Sequence, residues 1–477
     1  MTTAVQPKAG VAAGPASRLA PGADLWGVEP LLCAMVALVL PLVLYLTGLS
    51  ALNRSFYPGL AFVAAGILQA RRSPWYLGLC IWLFAASPLV RRMTDYALGF
   101  EPASTVLLAP YLACLWAGVA GLGYCLGPRP RYAGAFMLML GCILFGFGVA
   151  VFSGRMLSGA VETLKWAVGP LLALHVIAQP ALRPAFRRVV VLAFVAAGLA
   201  MALYGVAQFL RPTVWDTEWV ANMRQIGMTS AGTPEPFGIR VFATMHSAGS
   251  LGAFLMAAML FALALPVTLA LPSLLPVMLT IGLCQYRAIW AGTLLAIGCV
   301  ALAGPVRERG RILVTAVAVV LSLGALSTVP EIEFTLGERL RSLTELRSDA
   351  SGEERLQQYE RLLDQNDGLL LGAGLGTGGG SQVEEAGAGP GYIDGGLLMS
   401  VVALGVVAAT FYFVALGLVV LRVFGLVRQL PGEGFLYAAI VLGWVVQLPF
   451  GAVHIGEQGI PAWLAIGLAL AGGRRSG

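Results

Sequence analysis

The side chains able to do chemistry are few in this 477-residue chain, and they stand at the ends of apolar runs. Arg287 lies in Cys284-Gln-Tyr-Arg287-Ala-Ile-Trp290, where two apolar runs meet with almost no loop between them. A planar guanidinium at that place suits a diphosphate, because it donates two parallel hydrogen bonds. Snorkelling towards lipid headgroups is the alternative role. Arg240 lies in Phe237-Gly-Ile-Arg-Val-Phe-Ala-Thr-Met-His-Ser247, just ahead of a predicted helix, and Arg355 opens a helix in a long polar loop. Asp394, in Tyr392-Ile-Asp-Gly-Gly396, is the only acid close to the end of that loop; it can cap the next helix or act as a general base. His454 and Glu457 fall in the last short loop on the same side and can serve the same site. Glu162 and Lys165 are one helical turn apart, as an ion pair or as the polar wall of a cavity.

Other chemistries find little support. The seven cysteines all fall in or beside apolar runs, with no CxxC, and behave as small buried apolar groups. The three histidines, His175, His246 and His454, are far apart and carry no zinc spacing, so no metal or other cofactor is expected. The net charge is +6, but the basic residues sit in short clusters between apolar runs, where they set topology. No nucleic-acid partner is expected.

The elements that position these residues are helices. The chain is 58% hydrophobic and 11% charged, against roughly 25% charged for a soluble domain. Its mean hydropathy is +0.82. Helices are expected near 29–49, 56–70, 74–91, 103–126, 133–153, 158–178, 189–210, 246–265, 267–285, 287–304, 312–329, 396–421, 435–453 and 458–472. The fold class is therefore all-α: a polytopic membrane bundle of about fourteen spans, each needing about 20 apolar residues. Residues 1–28, rich in Ala, Gly and Pro, read as a disordered cytoplasmic N-terminus and not as a signal peptide. Residues 29–329 hold the first eleven spans, 330–395 a large periplasmic loop, and 396–477 the last three spans with a short cytoplasmic tail.

Loop charge sets the orientation. One set of loops holds Arg71–Arg72, Arg129 and Arg131, Arg183, Arg187 and Arg188, Arg307, Arg309 and Arg311, Arg422 and Arg428, then Arg474–Arg475. The alternate set holds only Arg54, Arg91–Arg92, Arg155 and Arg287 among its short loops. The positive-inside rule puts the first set, and both termini, in the cytoplasm.

Two long loops lie on the other side, from Arg211 to Met245 and from Pro330 to Gly395. In the second, Leu336, Leu340 and Leu343 recur at helical spacing. Ser351 and Glu354 form a capping box ahead of Leu356, Tyr359, Leu362 and Leu363. These give two amphipathic helices. The glycine run Gly372–Gly380 follows; it makes a tight backbone turn, or offers amides to a phosphate. Arginines, acids and a long helical loop on one face suit a lipid diphosphate and a hydroxyl acceptor.

From Arg240 to Ala408 these residues resemble the O-antigen ligase and O-antigen polymerase superfamily of bacterial membrane glycosyltransferases. Phe237–Gly252 is similar to its Arg-x-x-(Gly/Ala) segment. Gln285–Trp290 resembles its Ser-Arg-Gly helix start, with Tyr286 and Ala288 departing from it. Arg355–Tyr359 and Leu369–Thr377 resemble its loop helix and Gly-x-Gly-x-Gly turn. Asp394-Gly395 with Gly405 follows its His-Asn…Gly element, with Asp in place of His and Gly in place of Asn. The resemblance implies that Arg287 and Arg355 bind the lipid diphosphate and that Asp394 stands where the ligases have their base; by their place on the same face, Arg240, His454 and Glu457 are expected to bind substrate. It implies transfer of a glycan from undecaprenyl diphosphate, with other polysaccharide assembly and export proteins as partners. The Asp394 departure favours polymerisation of an exopolysaccharide or O-antigen over ligation to lipid A or protein. A flippase for lipid-linked sugars is the alternative of another class.

Overall fold

The computed structural model describes residues 27–128, 130–226, 228, 230–326, 369–377, 395–430 and 432–473. Among these the chain is helical throughout, with a single isolated β-bridge between Gly232 and Ile239. The helices are α1 (Val28–Leu46), α2 (Tyr57–Ala70), α3 (Trp75–Leu98), α4 (Thr105–Cys125), α5 (Ala133–Phe152), α6 (Met156–Ala178) and α7 (Arg183–Leu210). Then follow α8 (Val214–Gln225), α9 (Ala248–Ala262), α10 (Val267–Leu283), α11 (Arg287–Ala303), α12 (Val306–Leu326), α13 (Gly396–Gly425), α14 (Gly434–Val445) and α15 (Gly456–Gly472). Six of them, α1, α4, α5, α6, α7 (with the turn ahead of it) and α13, are long and apolar enough to cross a membrane; α2, α9, α10, α11 and α14 are shorter apolar helices.

The packing has an inner and an outer layer. α9, α14 and α15 are buried nearly all round, as expected of helices that are apolar on every face. α15 lies against α6, α9 and α14. At Gly169 of α6 the indole of Trp463 lies where a Cβ would stand, so only glycine fits beneath it. The outer layer turns large apolar side chains away from the protein: Leu144 on α5, Leu294 on α11, Leu313 and Val317 on α12, Phe411 and Leu418 on α13. Water would penalise so much exposed apolar surface; hydrocarbon would not.

Contacts between loops sort into two ends. At one, Glu433 accepts Arg183 at 2.7 Å and Arg187 at 3.2 Å, Ser73 donates to Glu29, and Arg311 donates to the carbonyls of Leu263 and Leu265. This is the end where the arginine-rich loops gather. At the other, Arg54 pairs with Asp95 and Glu101, Arg92 with Asp216, and Tyr286 donates to Phe450.

Three sequence expectations need correction. The third helix does not stop at 91 but runs to Leu98, so Arg91 and Arg92 are buried helical residues and not loop charges. They are tolerated because each has a counter-ion: Arg91 has Asp95 at 3.2 Å and Arg92 has Asp216 at 3.3 Å. The segment from Arg211 to Met245 is not all loop, since α8 occupies Val214–Gln225 and buries Asp216, Trp219 and Val220 on one face. α12 starts at Val306, which brings Arg307, Arg309 and Arg311 into a helix.

Candidate functional site

The site starts with an irregular strap, residues 237–247, that crosses the helix ends between α8 and α9. Ile239 bridges to Gly232 and Arg240 N donates to Ala231 O at 3.0 Å; beyond them, side chains and neighbouring helices take up its backbone polar groups. Gln208 Oε1 accepts the amides of Phe242 and Ala243 at 3.1 and 2.9 Å. Val241 N donates to Leu283 O at 3.3 Å, and Phe237 N to Phe209 O at 2.9 Å. The Arg92 guanidinium donates to the carbonyls of Ala243 and Met245 and lies 4.7 Å from the centre of the Phe242 ring. Its counter-ion Asp216 accepts from Tyr204 and Thr213, both at 2.8 Å. Arg92 and Asp216 are fully buried, so this pair fixes the strap from below.

The strap ends at His246, beside Glu457 of α15. His246 Nε2 is 3.3 Å from Glu457 Oε1, and Ser250 Oγ donates to the same oxygen at 2.8 Å. Tyr111 Oη donates to Glu457 Oε2 at 2.9 Å. Ser247 caps α9 by accepting Ser250 N at 3.1 Å, and Gln458 Nε2 donates to Ser250 Oγ at 3.3 Å. Lys165 pairs with Glu162 at 2.6 Å, as the sequence spacing suggests, and is also within electrostatic reach of Glu457. One carboxylate is held by groups from α4, the strap and α9. A histidine whose Nε2–H is directed at a carboxylate presents Nδ1 as a proton acceptor.

Arg287 begins α11 and is half-buried. The preceding Tyr286 reaches Phe450 O at 3.2 Å and would touch a Cβ at Gly249. The Val241–Leu283 hydrogen bond puts the Arg240 and Arg287 segments side by side on the same end as Glu457. His454 lies deeper. It is 1% exposed, shares a 3.1 Å hydrogen bond with Ser400, and packs edge-on against Trp166 with ring centroids 4.8 Å apart.

The glycine turn proves to be structural. Gly405 has φ 77° and ψ 163° inside α13, which breaks that helix and frees carbonyls. Ala373 N and Gly374 N donate to those of Val402 and Ala403 at 2.7 and 3.0 Å, and Leu375 N donates to Gly146 O at 3.0 Å. Amides committed to carbonyls are not available to a phosphate, so that alternative is set aside for these three. Arg155 clamps the turn through Ala373 O. A Cβ at Gly374 would come within 2.6 Å of Ala150 N.

Arg355 and Asp394 lie outside the described residues, as do the two expected amphipathic loop helices. Gly395, the residue after Asp394, stands against Pro449, and Gly396 N donates to Leu448 O at 2.9 Å, so the long loop returns beside His454. Sequence reasoning passed over His246, Ser250, Tyr111 and Gln458. The signal for two of them was present: Ser247 is an N-cap, which places His246 at a helix mouth and Ser250 in its first turn.

No family model, no curated protein and no solved structure matches this chain.

Proposed function

We propose that this protein is a polytopic inner-membrane glycosyltransferase of about fourteen spans, with both termini cytoplasmic. It moves a glycan from an undecaprenyl-diphosphate donor onto a second lipid-linked repeat unit at the periplasmic face, building an exopolysaccharide or O-antigen. The observation that carries this reading is the His246–Glu457 pair, next to the Arg240 and Arg287 segments, at the end opposite the arginine-rich loops. In the reaction, the acceptor hydroxyl oxygen bonds to the anomeric carbon as the bond from that carbon to the diphosphate breaks. Arg287, with Arg240 and Arg355, takes the charge that develops on the diphosphate. The hydroxyl proton passes to His246 Nδ1, with Asp394 the competing acceptor on the long loop. Sorting of the loop contacts into two ends, one of them arginine-rich, supports the orientation.

The test is chain extension by purified protein in nanodiscs supplied with lipid-linked repeat units. No extension by the native chain, or undiminished extension by Arg287→Ala, rejects the proposal. One observation favours a second reading. The break in α13 at Gly405, filled by a glycine turn, resembles the discontinuous helices of transporters. Flipping of a labelled lipid-linked sugar in proteoliposomes without acceptor would establish that reading instead.

A further inference from the structure

A cleft of about 620 Å³ opens at the arginine-rich end, where α2, α4 and α6 finish. Its walls include Gln69, Arg72, Trp116, Val119, Tyr124 and Gln179. Two of its polar side chains, Arg72 and Gln69, are uncommitted among the described residues. Arg72 is exposed, and among the described residues its guanidinium has neither a hydrogen bond nor an ion pair; the Gln69 amide is likewise unengaged. Gln179 spends only its Nε2, on His175. Tyr124 exchanges hydrogen bonds with the backbone of Arg131 at 2.9 and 2.7 Å, which holds a further arginine beside the cleft. The Trp116 ring is fixed by its Nε1 donating to Phe62 O at 3.0 Å and lies over Gly66, where a Cβ would meet it at 2.9 Å.

An apolar track leads away from this polar pit. Val63 and Ile67 on α2 are 56% and 43% exposed; Val119 and Leu122 on α4 are 65% and 41% exposed. Each pair sits one turn apart along its helix, so the track follows the helix axes. A charged pit at the helix ends with an apolar track beneath it has the form of a phospholipid.

The sign of the headgroup follows from the charges. Each helix C-terminus contributes about half a negative charge. Arg71, Arg72 and Arg131 each contribute a whole positive one, so the balance at the cleft favours an anion. We propose that this cleft binds an anionic phospholipid. Its phosphate lies against Arg72 and the amide of Gln69, and an acyl chain follows Val63, Ile67 and Val119. The proposal rests on the chain spanning a membrane, and not on glycan transfer.

The experiment uses the full chain in nanodiscs of equal parts phosphatidylglycerol and phosphatidylcholine, with native mass spectrometry of the lipids retained on release. The native protein should retain phosphatidylglycerol over phosphatidylcholine by about tenfold, in keeping with a charge-assisted hydrogen bond. Arg72→Asn should lose that preference; Asn tolerates the positive φ of 53° found there. Ala120→Phe should lose it too, by filling the cleft, with an unchanged thermal midpoint in both variants. Arg428→Asn, at an exposed arginine on the same end, should keep it. Equal retention of the two lipids overturns the proposal. So does undiminished preference in Arg72→Asn, or an equal loss in Arg428→Asn, which would mean a diffuse basic surface only. A chain that fails to enter nanodiscs overturns the membrane-spanning reading on which the proposal rests.

Discussion

Glu457 Oε1 lies 3.3 Å from His246 Nε2, which joins the first turn of α15 to the end of the strap ahead of α9. Tyr111 and Ser250 complete the carboxylate's hydrogen bonds, so its position is set by three separate elements. If the pair moves the acceptor proton, Glu457→Gln and His246→Ala should each slow chain extension by about 10²- to 10⁴-fold, the range for removing a general base or its partner. Glycan transfer from the lipid-linked donor, timed under single-turnover conditions, checks this. Rates within threefold of the native protein in both variants would end the assignment and leave Asp394 as the base.

Arg287 should act mainly on the donor. Arg287→Ala is expected to weaken use of the lipid diphosphate by about 10- to 100-fold in kcat/KM, the worth of charge-assisted hydrogen bonds. Arg287→Lys should recover little, because an ammonium cannot donate the two parallel bonds of a guanidinium. Titration of donor at fixed acceptor measures this. Full recovery by lysine would reduce Arg287 to a point charge at the membrane surface.

The Arg92–Asp216 pair should behave as a buried structural clamp. Removing one partner, as in Arg92→Leu or Asp216→Leu, should cost about 3–5 kcal/mol, because the other charge stays buried and alone. The double variant should cost less than the sum of the two single changes. Thermal unfolding in detergent gives the comparison. Strict additivity would mean that the two side chains act independently.

Glycine positions offer an internal contrast. Gly372→Ala should destabilise by about 3 kcal/mol or more, from positive φ and collision with Gly405. Gly298→Ala, in α11 with open space around it, should be neutral or stabilising by about 0.5 kcal/mol. Equal effects at the two positions would show that the glycine turn is not wedged against α13.

The sequence by itself determined that the chain is helical and placed most of its helices near where they fall. Apolar run length and arginine placement are local quantities, readable along the chain without knowing which helices meet. It also put Glu162 and Lys165 within reach of each other, one turn of helix apart, and the structure pairs them. It misplaced the end of α3, where Arg91 and Arg92 looked like a loop until Asp95 and Asp216 supplied their counter-charges. Only the tertiary structure could join His246 to Glu457, commit the amides of Ala373, Gly374 and Leu375 to a broken helix, and seal His454 behind Trp166. Each of these depends on which helix ends meet, and helix–helix adjacency is fixed by close packing at residues such as Gly169 and Trp463, which no run of hydropathy records.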